Sequence, residues 1–305
     1  MKKLFYLFFV LSLSLFVGCK NDSEGGDQPI PSGDTLWYEI TKVEEYASKD
    51  YVLKFHAENI YTSEDSVKLM NSINPNLKVR LFSTNYKSLD IDGNPIVVSG
   101  LSAVPFENGK FTATDMVIDN HASQFKNTES PSYKPNHGAA FVVTNRVVVQ
   151  ADLIGLGATV DKPINYCSYH LASRNTMDFA LVADQMIHSN WLNTGISADK
   201  HLTVSNIGFS QGGYTALAFH KYYETEATDS EKKCIPLVKS WCGSGPYNTL
   251  TLMDAAYNKK GDLFPAFHLI GMYSGMKYHP QYLGDFTLRN FFADNISDDT
   301  VNKFE

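Results

Sequence analysis

The chain has 305 residues, 43% of them apolar, so it can bury the core of one large α/β domain or two small ones, and disorder is excluded as its ground state. A formal net charge of -7 without any Lys/Arg cluster excludes a nucleic-acid-binding surface. Aromatic residues reach 13%, mostly Tyr and Phe, a content that serves core and lid packing and equally a surface facing carbohydrate or aryl groups.

Lys2 and Lys3 precede an apolar run over 4–17 that is too short to span a bilayer. The run ends at Phe16-Val17-Gly18-Cys19, which resembles a bacterial lipobox with Phe16 where Leu is usual. That resemblance implies a lipoprotein signal peptide over 1–19 and lipidation of Cys19; an ordinary cleaved signal is the alternative. A lipidated N-terminal Cys carries more than one acyl chain, which stable membrane attachment requires. Residues 20–34, rich in Gly, Ser and acidic side chains, read as a flexible, self-repelling tether. Lys20 followed by acidic residues is similar to the export tag of surface lipoproteins. The expected location is an outer-membrane or cell-surface lipoprotein, with the periplasm as alternative, and one folded domain over 35–305.

Residues 37–61 show no readable period. The spacing predicts a helix over 63–73, capped by Ser63, with Val67, Met70 and Ile73 on one face and Pro75 as its stop. Residues 77–84 alternate like a half-buried strand, Asp92-Gly93-Asn94-Pro95 is a turn, and 96–104 is a second strand ending before Pro105. Together they predict an antiparallel hairpin at a sheet edge. Short strands follow at 116–119 and 147–151, separated by an apolar segment at 137–144 that reads as a helix or a crossover. Over 171–191, Leu171, Met177, Leu181, Val182, Met186 and Ile187 recur with helical period. A strand over 202–209, a helix over 212–223 and a strand over 237–241 complete the pattern. Alternating strands and helices predict an α/β fold with a mostly parallel sheet and right-handed crossovers. Residues 247–305 contain no further readable strand, and their aromatic residues suggest a helical cap inserted over an active site. Cys167, Cys234 and Cys242 fit no zinc spacing and are expected to give one disulfide and one buried thiol.

The chemistry concentrates at Gly208-Phe209-Ser210-Gln211-Gly212. The Gly-x-Ser-x-Gly spacing between a strand and a helix is a nucleophile elbow. A serine that attacks a carbonyl must be exposed, and a tight turn lifts it above the sheet. Larger side chains at 208 and 212 would clash there. The helix that starts after Ser210 presents free N–H groups, so the Gln211 amide is the expected first oxyanion donor.

Asp119-Asn120-His121-Ala122-Ser123-Gln124, after the strand at 116–119, resembles the His-Gly-Thr loop of secretory-lipase-like and related bacterial α/β-hydrolases. Asp152-Leu153-Ile154-Gly155-Leu156-Gly157 resembles their Asp-Tyr-x-Gly-Leu-Gly segment, and Pro131-Ser132 and, more loosely, 166–170 also fit. The resemblance covers about 77–246 and implies an α/β-hydrolase fold, a second oxyanion amide at Ala122 or Ser123, and a loop-shaping role for His121. Ala122 and Ser123 depart from the family's Gly and Thr, which leaves the choice of donor between them open.

In that family the triad acid and His follow the serine, after a seventh and an eighth strand. Six strands are readable here, so both residues are expected beyond Glu305. Asp254, Asp262, Asp285 and Asp294 lie downstream of Ser210, as do His220, His268 and His279, but none stands in a strand-then-loop context. His220 falls on the helix after the elbow and should point away; His268 or His279 would have to reach in from the cap. A 305-residue chain without the closing strands is expected to express poorly, with a bare apolar sheet edge. No cofactor or metal is implied. The expected activity is hydrolysis of small-molecule or polysaccharide-linked carboxylic esters; a serine peptidase of the prolyl-oligopeptidase type and a non-catalytic glycan-binding lipoprotein are the alternatives.

Overall fold

A computed structural model describes residues 36–56, 64–247, 265–282 and 297. The signal, Cys19, the tether, Ser63 and the four downstream aspartates lie outside them. Eight strands form one mixed sheet in the order β1-β2-β3-β6-β5-β7-β8, with the short β4 (Lys110–Phe111) paired to β3. Strand β2 (Leu77–Leu89) runs antiparallel to both of its neighbours, β1 (Tyr38–Ala47) and β3 (Pro95–Glu107), and β3 runs antiparallel to β6 (Arg146–Ala151). From there β6, β5 (Asp115–Asn120), β7 (Thr203–Phe209) and β8 (Leu237–Gly243) are all parallel.

The central strands are short apolar runs because both of their faces are covered. Met116, Ile118, Val147 and Val149 enter one core cluster, while Val117 and Val148 enter the other, as alternation across a pleat requires. Helix α3 (Tyr169–Ile187) and helix α4 (Gln211–Thr225) cover the first face through Met177, Phe179 and Phe219. Helix α1 (Ser48–His56) and a 3-10 helix (His137–Thr144) cover the second through Tyr51 and Val142. Helix α2 (Glu64–Ser72) precedes β2, and α5 (Asp229–Cys234) opens on a capping box between Thr228 and Glu231. Helix α6 (Pro265–Tyr278) follows the sheet.

Several sequence expectations change. The β2–β3 hairpin does not form the sheet edge, because β1 pairs alongside β2. Residues in β1 are mostly half-exposed or exposed, with Glu39, Lys42, Glu44 and Glu45 interrupting any apolar alternation, so the strand is held by backbone pairing and left no pattern to read. Pro105 does not stop β3; the strand continues to Glu107, with Pro105 opposite Val79. The 137–144 segment is a 3-10 helix, closed by Asn145 in the left-handed conformation. Cys167, Cys234 and Cys242 are all free thiols, so the expected disulfide among them does not form.

Candidate functional site

Strand β7 ends at Phe209 and α4 begins at Gln211, so Ser210 alone makes the turn. Its backbone sits at φ 57° and ψ -123°, a region that costs a non-glycine residue about 1–3 kcal/mol and persists only where the surroundings enforce it. Enforcement is visible. The Ser210 amide donates to Gly243 O at 2.9 Å, tying the turn to the end of β8. A Cβ at Gly208 would stand 2.0 Å from Gly212 O, and a Cβ at Gly212 would stand 2.0 Å from Asn120 O. Strand, turn, helix and the Asn120–His121 backbone are therefore in direct contact, at a spacing that only glycine permits.

Ser210 is half-buried and Gln211 is buried. The Gln211 amide is at the first position of α4, where no intrahelical acceptor exists and the helix dipole favours negative charge. Ala122 and Ser123 follow the backbone that Gly212 touches, so the expected oxyanion segment lies beside the turn. Ala122 is exposed, whereas the Ser123 hydroxyl is 3.0 Å from Tyr166 Oη. Burial pushes the Tyr166 phenol up to about 12, so it stays protonated and able to donate at neutral pH.

A polar network supports this corner. Asn120 Nδ2 donates to Asn206 Oδ1 at 2.7 Å and to Ile207 O at 2.8 Å, clamping β5 to β7 beneath the turn. Asn206 Nδ2 in turn donates to Ala216 O and to Ser240 Oγ. Both Asn120 and Asn206 are buried. Sequence reasoning gave neither a role: Asn120 fell within the quoted loop segment without one, and Asn206 sits in a strand with no motif to mark it. His121 is also buried, with Nδ1 2.8 Å from Ala122 O and Nε2 3.1 Å from Asp152 O. It shapes the loop and holds it against the chain leaving β6. Asp152 is fully buried and accepts from Ser99 Oγ and the Ser132 amide. Burial raises its carboxyl above the usual range, while those bonds and His121 oppose the rise. The Asp152–Gly157 and Pro131–Ser132 segments are thus parts of one buried joint, not groups open to substrate.

Of the downstream histidines, His220 and His279 are engaged elsewhere, and the side chain of His268 lies outside the described residues. His220 Nδ1 meets Ser240 Oγ at 3.0 Å and its Nε2 meets Glu224, directing the ring toward β8 and its own helix. His279 Nε2 is 3.1 Å from Ser168 Oγ. Helix α6 lies against the loops around the turn: Phe267 packs edge-on to Phe125 at 5.3 Å, Ser274 Oγ accepts from the Tyr166 amide at 2.9 Å, and Tyr278 donates to Pro163 O.

A mixed sheet with four parallel strands, helices on both faces and a strained serine at the strand-to-helix turn is the α/β-hydrolase fold. No protein-family profile and no curated protein matches the sequence. Solved structures do match. A Legionella pneumophila protein classed as a hydrolase is 19% identical with a TM-score of 0.68, over 88% of this chain and 67% of that one. The rice cell wall degrading esterase LipA from Xanthomonas oryzae is 18% identical with a TM-score of 0.62, over 81% and 60%. Candida antarctica lipase A in its closed state is 14% identical with a TM-score of 0.51, over 87% and 53%. The chain therefore spans between about half and two-thirds of the length of these structures. At such identities the likeness concerns the fold.

Proposed function

We propose that the protein is a serine hydrolase that cleaves carboxylic esters through an acyl-enzyme on Ser210. The observation that carries this reading is the backbone of Ser210, held at φ 57° between β7 and α4 by contacts that tolerate glycine alone. Strain of that kind is maintained where it positions a reacting group. The esterases and lipases among the structural matches support the same class.

In this mechanism Ser210 Oγ bonds to the ester carbonyl carbon, and the carbonyl oxygen takes the negative charge. The Gln211 amide and an amide at Ala122 or Ser123 stabilise that oxyanion, each donor being worth about 10²–10³ in rate. The C–O bond to the alcohol then breaks and the alcohol leaves with the serine proton, relayed by a general base. Water adds to the acyl carbon, releases the acid and restores Ser210. We assign the base and its carboxylate partner to segments outside the described residues. Substrates are small-molecule or polysaccharide-linked acyl esters.

Rates on p-nitrophenyl esters and feruloylated oligosaccharides, beside peptide substrates, test the reading. Ester turnover that falls at least about 10⁴-fold in Ser210→Ala is expected. Turnover of peptides alone would replace it with a peptidase, and glycan binding without any turnover would replace it with a binding protein. We further propose that Cys19 carries a lipid anchor. Cys19→Ala is expected to move the protein from the membrane fraction to the soluble one; an unchanged membrane fraction would contradict the anchor.

A further inference from the structure

Far from Ser210, three metal-ligating side chains converge. Asp184 and His188 lie one turn apart near the end of α3, and His201 lies two residues before β7. One ligand atom from each lies within 4.8 Å of the others. Asp184 Oδ2 is 3.0 Å from His201 Nδ1 and 3.5 Å from His188 Nδ1, and the two rings stand 5.1 Å apart. The group is sheltered: the three side chains expose 8%, 15% and 12% of their surface in the order Asp184, His188, His201.

The His188 ring is oriented by two backbone carbonyls. Its Nε2 is 3.0 Å from Lys200 O and its Nδ1 is 2.7 Å from Asp184 O. A neutral imidazole carries one N–H. With that N–H on Nε2 toward Lys200 O, Nδ1 is the ring atom turned toward the Asp184 carboxylate. A ring whose other N–H is fixed on a backbone carbonyl is how metal-bound histidines are usually oriented. Two imidazoles and one carboxylate suit a first-row divalent ion of the zinc type.

We propose that Asp184, His188 and His201 bind a divalent zinc-type ion that pins the end of α3 to the start of β7. The ion would close the connection over 189–200. It would act at the opposite end of β7 from Ser210, about 20 Å or more away along seven residues of strand. Its role is therefore structural. The sequence spacing of four and thirteen residues matches no zinc motif, which is why the residues alone implied no metal.

The test is calorimetric titration of chelator-stripped protein with zinc chloride, together with thermal melting with and without zinc. One equivalent bound, a melting temperature raised by several degrees, and an affinity at least 100-fold weaker in Asp184→Asn and His201→Gln are expected. Circular dichroism of the two variants checks that they fold. Cobalt(II) in place of zinc should give visible d–d absorbance that the variants lose. Absence of saturable binding to the wild-type chain would overturn the proposal. So would equal affinity in the folded variants. Fluorophosphonate labelling at Ser210 should proceed equally with and without zinc, so that reading stands or falls separately.

Discussion

At position 210 a hydroxyl is placed by backbone geometry more than by its own contacts. The turn depends on the absence of side chains at Gly208 and Gly212, and distances rank the two reasons for glycine found in this chain. At Gly212 a Cβ meets Asn120 O at 2.0 Å, and at Gly93 it meets nothing within 4 Å, though φ is +76°. Gly212→Ala must displace backbone and is expected to cost about 3 kcal/mol or more. Gly93→Ala pays only the left-handed conformation, about 1–2 kcal/mol. Urea unfolding of the two variants checks the order; equal losses would mean that the helix start is not pressed against Asn120. The serine and both glycines were legible as a motif. Asn120, Asn206 and the Ser123–Tyr166 pair were not, because their roles arise from which strands and loops become neighbours.

Secondary structure was legible wherever burial imposed a period. The strands at β3, β5, β6, β7 and β8 were read within a few residues of their observed bounds, as was α3, while β2 was read from its start but runs five residues past the expected end. Apart from β8, whose residues are half-exposed or exposed, they are strands and a helix with one or both faces in the core. Phe179 shows how much one such position contributes: it is fully buried, stacks on Tyr86 with centroids 4.7 Å apart, and fills the space over Gly100. Phe179→Ala is expected to destabilise the fold by about 3–5 kcal/mol, measured by chemical denaturation. A loss below about 1 kcal/mol would show that α3 does not pack as described. Strand β1 went unread for the complementary reason. It covers the hairpin with charged and half-exposed residues, and its partner, β2, lies 30 residues downstream of it. Edge strands need neither continuous apolar runs nor strict alternation, so pairing alone defined this one.

At the scale of the whole molecule, pH reports on how the second core is sealed. His56 is buried against Tyr51, and burial, with His137 and Lys134 nearby, lowers its imidazole to about 4. The folded value lies below the unfolded one of about 6.5. The unfolded chain then takes up the proton first, so this contribution to stability is present above pH 6.5 and is lost as pH falls toward 4. A decline on the order of 2 kcal/mol between pH 7 and pH 5 is attributable to His56. His56→Phe should remove that part of the acid slope; an identical slope in the variant would mean that His56 is solvated. The proposed function asks one thing of this arrangement of sheet, helices and α6 contacts, that the Ser210 hydroxyl react as a nucleophile. The most direct test is treatment of the purified protein with a fluorophosphonate, followed by peptide mapping of the adduct. A single adduct on Ser210, absent from Ser210→Ala, is the expected result. An unmodified Ser210 in folded protein, or labelling that persists in the variant, would contradict the account.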